Sequence, residues 1–178
     1  MHWKVHGQQT LYTSEWVRLE IADVELPDGR RIAHHVVRML RQSVVVAVVD
    51  AGHVLMLWRH RFITNRWGWE LPAGWVEPGE DPTVTARREV EEETGWRPGP
   101  LSLLASFASD HGISDSRFFV YRADEATFQG NPPDSHESTR VEWIPLSKVR
   151  SMIRAGEIDE GAALVALPLI LLDSQPSS

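Results

Sequence analysis

Apolar and polar residues alternate near the start of the chain, and a period of two is typical of half-buried β-strands. Val17, Leu19 and Ile21 alternate in this way with charged or small residues. A Leu-Pro-Asp-Gly turn signal follows at 26–29, since proline presets φ and glycine accepts a positive φ. A second strand over about 31–39 then completes a predicted β-hairpin.

Longer apolar runs follow the hairpin and predict the strands of a buried sheet. Residues 44–50 form a continuous β-branched run, typical of a central strand, and 53–59 returns beside it. Later strands are predicted at 101–107, 117–123 and 141–144. One helix precedes these later strands and two helices follow them, with Ser147 expected to cap the first of the two. The pattern predicts an α+β protein in which helices cover a mixed sheet, while residues 1–15 stay unassigned.

The first helix is predicted over residues 82–94 from the signals at its two ends. Asp81 can cap the first turn, and Pro82 suits a position that needs no N–H. Gly95 suits a left-handed exit from the helix.

Three glutamates give this helix an acidic face. Glu89, Glu92 and Glu93 are spaced by three and four residues and therefore fall on one side. Their mutual repulsion costs roughly 0.2–0.5 kcal/mol per pair, and a hard divalent cation with oxygen ligands would offset it. A solvated acidic surface is the alternative, and it is the common explanation of a charge run.

The motif around the helix favours the cation. The Nudix box is glycine, five residues, glutamate, seven residues, Arg-Glu, an aliphatic residue, one residue, Glu-Glu, one residue, glycine and an aliphatic residue. Eight of its positions are present here: Gly74, Glu80, Arg88, Glu89, Val90, Glu92, Glu93 and Gly95. At the last position Trp96 replaces the aliphatic residue, which we expect to alter packing rather than chemistry. Eight matching positions at fixed spacing are a specific signal, so the chain resembles the Nudix hydrolases.

The resemblance covers residues 17–172. Within this range the chain is similar to the ADP-ribose pyrophosphatase branch of the family in the segments 25–29, 54–61, 67–80, 140–146 and 155–159. It implies a Nudix α/β/α sandwich with a mixed central sheet. It also implies an N-terminal antiparallel sheet that, in this branch, helps to form a homodimer. We therefore divide the chain into an N-terminal β-hairpin and dimerisation region (1–40), a Nudix catalytic domain (41–173) and a polar tail (174–178).

The resemblance implies hydrolysis of a nucleoside diphosphate linked to another group, such as ADP-ribose or a related nucleotide sugar. The products would be a nucleoside monophosphate and a phosphorylated group. Mg²⁺ or Mn²⁺ would neutralise the diphosphate and activate water. The matching metal ligands are the Ala73 carbonyl and the carboxylates of Glu89, Glu92 and Glu93. Arg88 is expected to orient Glu92, four residues further along the helix.

Basic and aromatic residues near the box are candidates for binding substrate. Arg59 and Arg61 could clamp phosphate, since a guanidinium matches phosphate oxygens, or they could be surface charges at a strand end. Trp67 and Trp69 could stack on a base, although packing in a core or dimer interface is the more common role.

Two loops complete the candidate site. Gly112 matches the branch's substrate loop, in which His111 stands where the branch often has proline. Glu137 matches one of two late loop acids and is the candidate general base, while Ser135 replaces the other. Glu92 is the alternative catalytic carboxylate.

Composition narrows the partners. A net charge of −7 disfavours general binding to nucleic acid or to an anionic membrane. The absence of cysteine excludes disulfides, and the N-terminus lacks the apolar core of a signal peptide, so we expect a cytoplasmic protein. Two alternatives stay open: a Nudix hydrolase of another nucleoside diphosphate derivative or a nucleoside triphosphate, and a non-catalytic nucleotide sensor. The intact carboxylate set favours an enzyme.

Overall fold

The computed structural model describes residues 2–130 and 140–173. Contacts divide the chain into two compact units, one of residues 1–42 with 108–117 and one of 43–107 with 118–178. The predicted domain boundary at residue 40 assigned the loop at 108–117 to the catalytic domain. In the structure this loop packs with the N-terminal residues instead. The predicted polar tail at 174–178 lies outside the described residues.

The first unit contains an antiparallel sheet of β1 (Lys4–Thr13), β2 (Val17–Glu25) and β3 (Arg31–Met39), in that spatial order. The predicted hairpin of β2 and β3 is confirmed, and Gly29 turns it with a φ of 84°. The sequence missed β1, because every residue of this strand is exposed and it pairs with β2 mainly through its backbone. Burial periodicity cannot reveal such a strand.

The buried side of β2 is the reverse of what its apolar alternation indicated. Glu20, Ala22 and Val24 are buried, whereas Leu19 and Ile21 are only half-buried. Glu20 can be buried because its carboxylate pairs with Arg18 at 2.9 Å and Arg38 at 3.1 Å.

The second unit contains the mixed sheet. Within the described residues it has seven strands in the order β12-β5-β4-β10-β9, with β6 beside β5 and β7 beside β4. The pairing of β4 with β10 is parallel. The bounds are β4 Ser43–Asp50, β5 His53–Arg61, β6 Arg66–Glu70, β7 Ala73–Trp75, β8 Trp96–Pro98, β9 Ser102–Phe107, β10 Phe118–Ala123, β11 Ala126–Phe128 and β12 Arg140–Pro145. Strands β8 and β11 pair separately.

Three helices pack in this unit: α1 (Pro82–Thr94), α2 (Leu146–Ala155) and α3 (Gly161–Asp173). The predicted ends of α1 are confirmed. The Asp81 carboxylate accepts from the Thr83 N–H at 2.7 Å, and Gly95 has a φ of 74°. The prediction that Ser147 caps α2 is wrong, because α2 begins after Pro145 and has no side-chain cap. No helix in the described ranges has the length and apolar character needed to cross a membrane.

Strand β4 is buried on both faces and so defines the layers. Val45 and Ala47 face the core that includes residues of α2 and α3. Val44 and Val46 face the opposite core, which includes Ala86 and Val90 of α1. The predicted α/β/α sandwich is confirmed, and Ala86 and Val90 on the apolar side of α1 pack against the sheet.

Candidate active site

The three glutamates predicted on one face of α1 differ in their access to solvent. The exposed fraction of the side chain is 5% for Glu93, 15% for Glu89 and 39% for Glu92. The acidic face is therefore not a solvated surface, since two of its carboxylates are largely withdrawn from water.

Strand β7 meets α1 at the two more buried glutamates. The Ala73 N–H donates to Glu93 Oε2 at 3.0 Å. A Cβ built on Gly74 would collide with the Glu89 carboxylate. Close approach of a carboxylate to the backbone is therefore the physical reason for the glycine that begins the motif.

Arg88 connects the carboxylates of the motif. Its Nη1 donates to Glu89 at 2.8 Å and to Glu92 at 2.9 Å, so the predicted pairing with Glu92 is confirmed. Its Nη2 donates to Glu80 at 3.3 Å. Glu80 also accepts from the Thr85 hydroxyl at 2.6 Å, and this bond, followed by the Arg88 bond, lowers the pKa of Glu80. Glu80 thus fixes Arg88, and Arg88 fixes two candidate ligands.

Arg59 and Arg61, predicted as phosphate clamps, both engage carboxylates. Arg59 donates to Glu93 Oε1 at 2.7 Å, and its Nε lies 3.9 Å from Glu70 Oε2. Arg61 donates to Glu70, with a shortest distance of 2.6 Å. Glu70 was not among the predicted site residues, although a glutamate among apolar residues at 69–72 is a signal of a paired buried charge.

Burial and, to a smaller extent, the charge of Glu89 raise the pKa of the Glu93 carboxyl to about 7 against the opposing effects of Arg59 and the Ala73 N–H. In the described part of the chain, no three acidic or histidine side chains are already gathered closely enough to hold an ion. Arginines instead engage the carboxylates. The donors are all hard oxygens in a region of concentrated negative charge, so these residues fit a divalent cation such as Mg²⁺.

The two predicted stacking tryptophans have different environments. Trp69 is 6% exposed and belongs to the core, so it has the packing role that was the alternative to stacking on a base. Trp67 is half-exposed and stacks on Trp58, with ring centroids 6.1 Å apart and planes at 16°. Only Trp67 of this pair therefore offers a ring to solvent.

The two predicted loop residues are placed differently. Gly112 belongs to the first unit, where its carbonyl oxygen lies 2.7 Å from His34 Nε2 and its N–H donates to Asp110 at 2.9 Å. Glu137 lies outside the described residues, so its role as a base stays a prediction.

Known proteins are similar to this chain in sequence and in fold. Residues 39–164 match the family described as the NUDIX domain. The chain is 37% identical over 171 residues to the CMP-5'-(N-acetyl-N-hydroxy-3-aminopropyl)phosphonate hydrolase of Streptomyces rubellomurinus, covering 96% of this chain and 83% of that protein. It is 28% identical over 171 residues to the ADP-ribose pyrophosphatase of Bacillus subtilis, covering 95% of this chain and 92% of that protein. A crystal structure of an ADP compounds hydrolase has a TM-score of 0.86 at 19% identity, over 97% of this chain and 94% of that chain.

The chain belongs to the Nudix family. It is a pyrophosphohydrolase, as the motif predicts.

Replacing Gly74 tests the contact between β7 and α1. Gly74→Ala is expected to reduce kcat by at least about tenfold, because the added methyl group displaces the Glu89 carboxylate. Gly68→Ala is the matched control, since its Cβ would lie 3.5 Å from the nearest atoms, an ordinary contact. Steady-state kinetics measure kcat for both variants. Equal kcat values would contradict the explanation that Gly74 makes room for the Glu89 carboxylate.

Proposed function

We propose that this enzyme hydrolyses the phosphoanhydride between a nucleoside 5'-monophosphate and a second phosphorylated group, with ADP-ribose or a related nucleotide sugar as the leading substrate. The observation that carries the proposal is the meeting of the α1 carboxylates with the β7 backbone at Ala73 and Gly74. The similarity to an ADP-ribose pyrophosphatase supports the substrate class.

In the proposed reaction a bound Mg²⁺ or Mn²⁺ would supply charge neutralisation of the diphosphate and activation of water. The Ala73 carbonyl and the carboxylates of Glu89, Glu92 and Glu93 would hold the ion. Arg88 keeps two of these carboxylates in place through its hydrogen bonds. Glu137 is the proposed base, and Glu92, the most exposed of the three glutamates, is the alternative.

A nucleotidyl phosphonate is a second candidate substrate. It is favoured by the 37% identity to a hydrolase whose named substrate joins CMP to a phosphonate. Both candidates contain a nucleoside monophosphate bonded through oxygen to a second phosphorus. The same carboxylate site could therefore serve either, and the distal group would decide between them.

A substrate panel tests the proposal. ADP-ribose, UDP-glucose, CMP linked to 3-aminopropylphosphonate, and ATP are incubated with Mg²⁺ in ¹⁸O-labelled water, and ³¹P NMR identifies the labelled products. We expect a nucleoside monophosphate and a phosphorylated or phosphonate partner from one of the first three compounds. Turnover of ATP alone would indicate that the enzyme hydrolyses nucleoside triphosphates instead. Tight nucleotide binding without any turnover would instead support a sensor.

Removing one ligand charge tests the metal assignment. Glu93→Gln is expected to lower kcat by about 10²-fold or more, because a charged oxygen ligand is lost on a rigid helix. Glu91→Gln removes the same charge from the same helix, but Glu91 pairs with Arg97 at 2.9 Å, so this variant should retain its activity. Kinetics at saturating Mg²⁺ separate the two. Near-wild-type turnover in Glu93→Gln would remove this residue from the ligand set.

We also propose a homodimer to which residues 17–40 contribute. Half-buried Leu19 and Ile21, together with exposed Tyr12 on β1, support an isologous contact. Sedimentation at micromolar concentration should show a dimer for the wild type and a monomer for Ile21→Glu. Leu103→Glu, which changes an exposed leucine of β9, should remain dimeric. A monomeric wild type would refute the assembly.

A further inference from the structure

Arg59 is the most deeply buried arginine contact of the α1 carboxylates. Its side chain is 3% exposed at the end of β5, whereas the side chain of Arg88 is 34% exposed. The Arg59 guanidinium donates to Glu93 Oε1 at 2.7 Å and lies 3.9 Å from Glu70. This positive charge is therefore shared between two buried carboxylates and is shielded from water.

Both oxygens of Glu93 already have partners. Oε1 accepts from Arg59, and Oε2 accepts from the Ala73 N–H at 3.0 Å. A cation that binds Glu93 must therefore share its carboxylate with a guanidinium. Two positive charges on one carboxylate repel each other strongly where water does not screen them.

We propose that Arg59 is a positioning residue that acts as a resident counter-ion of Glu93, competes with the divalent cation for this carboxylate and weakens the metal affinity of the free enzyme. The inference rests on the metal site proposed above. It replaces the role of phosphate clamp that the sequence suggested for Arg59. Arg59 holds Glu93 in place before the metal binds, and it acts without touching the substrate.

Arg61 provides the matched comparison. It lies two residues further along β5, is 53% exposed and donates to Glu70 rather than to Glu93. Removing its charge leaves the Arg59–Glu93 pair in place. Solvent also screens Arg61, so its effect on a cation at α1 should be small.

Mn²⁺ binding to the metal-free enzyme, measured by EPR without nucleotide, tests the proposal. Arg59→Gln keeps a hydrogen-bond donor but removes the charge, and it should lower the Kd for Mn²⁺ by at least about fivefold. Arg59→Lys keeps the charge and should stay within about twofold of the wild type, as should Arg61→Gln. A gain in affinity is an outcome that simple damage to the fold does not produce.

Arg59→Gln leaves Glu93 buried without its guanidinium, although Glu70 keeps its hydrogen bonds to Arg61, so circular dichroism must accompany the titration. If this variant does not fold, the double variant Arg59→Gln/Glu70→Gln is compared with Glu70→Gln alone, and the same tightening is expected. An unchanged or raised Kd in the folded Arg59 variant would overturn the counter-ion role while leaving the metal site intact. A wild type that binds no Mn²⁺ would overturn the metal site and this inference together.

Discussion

The site depends on the neutralisation of carboxylates that are withdrawn from water. An uncompensated buried charge costs several kcal/mol, so Glu93 can occupy its position only with partners. Arg59 from β5 and the Ala73 N–H from β7 supply them. The Glu93 carboxylate of α1 therefore depends on β5 and β7 being held within hydrogen-bond distance of this helix. The rest of the sandwich keeps these three elements in place.

The sheet makes this arrangement rigid. Alternate residues of β4 enter the cores on its two faces, and Ala86 and Val90 anchor α1 to one of them. The helix is further defined by Asp81 at its start and Gly95 at its end. Carboxylates on such an element cannot move apart to relieve their repulsion, and this is why arginine, and by our proposal a cation, must balance them.

Local patterns of residues predict least where a side chain's environment depends on distant parts of the chain. Strand β2 presents Glu20 to the interior because Arg18 and Arg38 neutralise it, although its apolar residues suggested the opposite face. Strand β1 has no buried side, so its sequence carries no period. Arg59 shows the same difficulty, because a basic residue that precedes the Nudix box is compatible with a phosphate clamp or with a buried ion pair.

The sequence by itself determined the bounds of α1, the shared face of its glutamates, the Arg88–Glu92 pair and the family. The first three features depend on residues within a few turns of one helix, where covalent geometry sets the spacing, and the family follows from residue types at fixed positions along the chain. Only the tertiary structure decided that Glu93 is the most buried of the three, that Gly74 makes room for Glu89, and that Arg59 pairs with Glu93 across 34 residues of chain. Burial and ion pairing between distant segments depend on which strands become neighbours in the sheet, and local patterns of residues do not encode that choice directly.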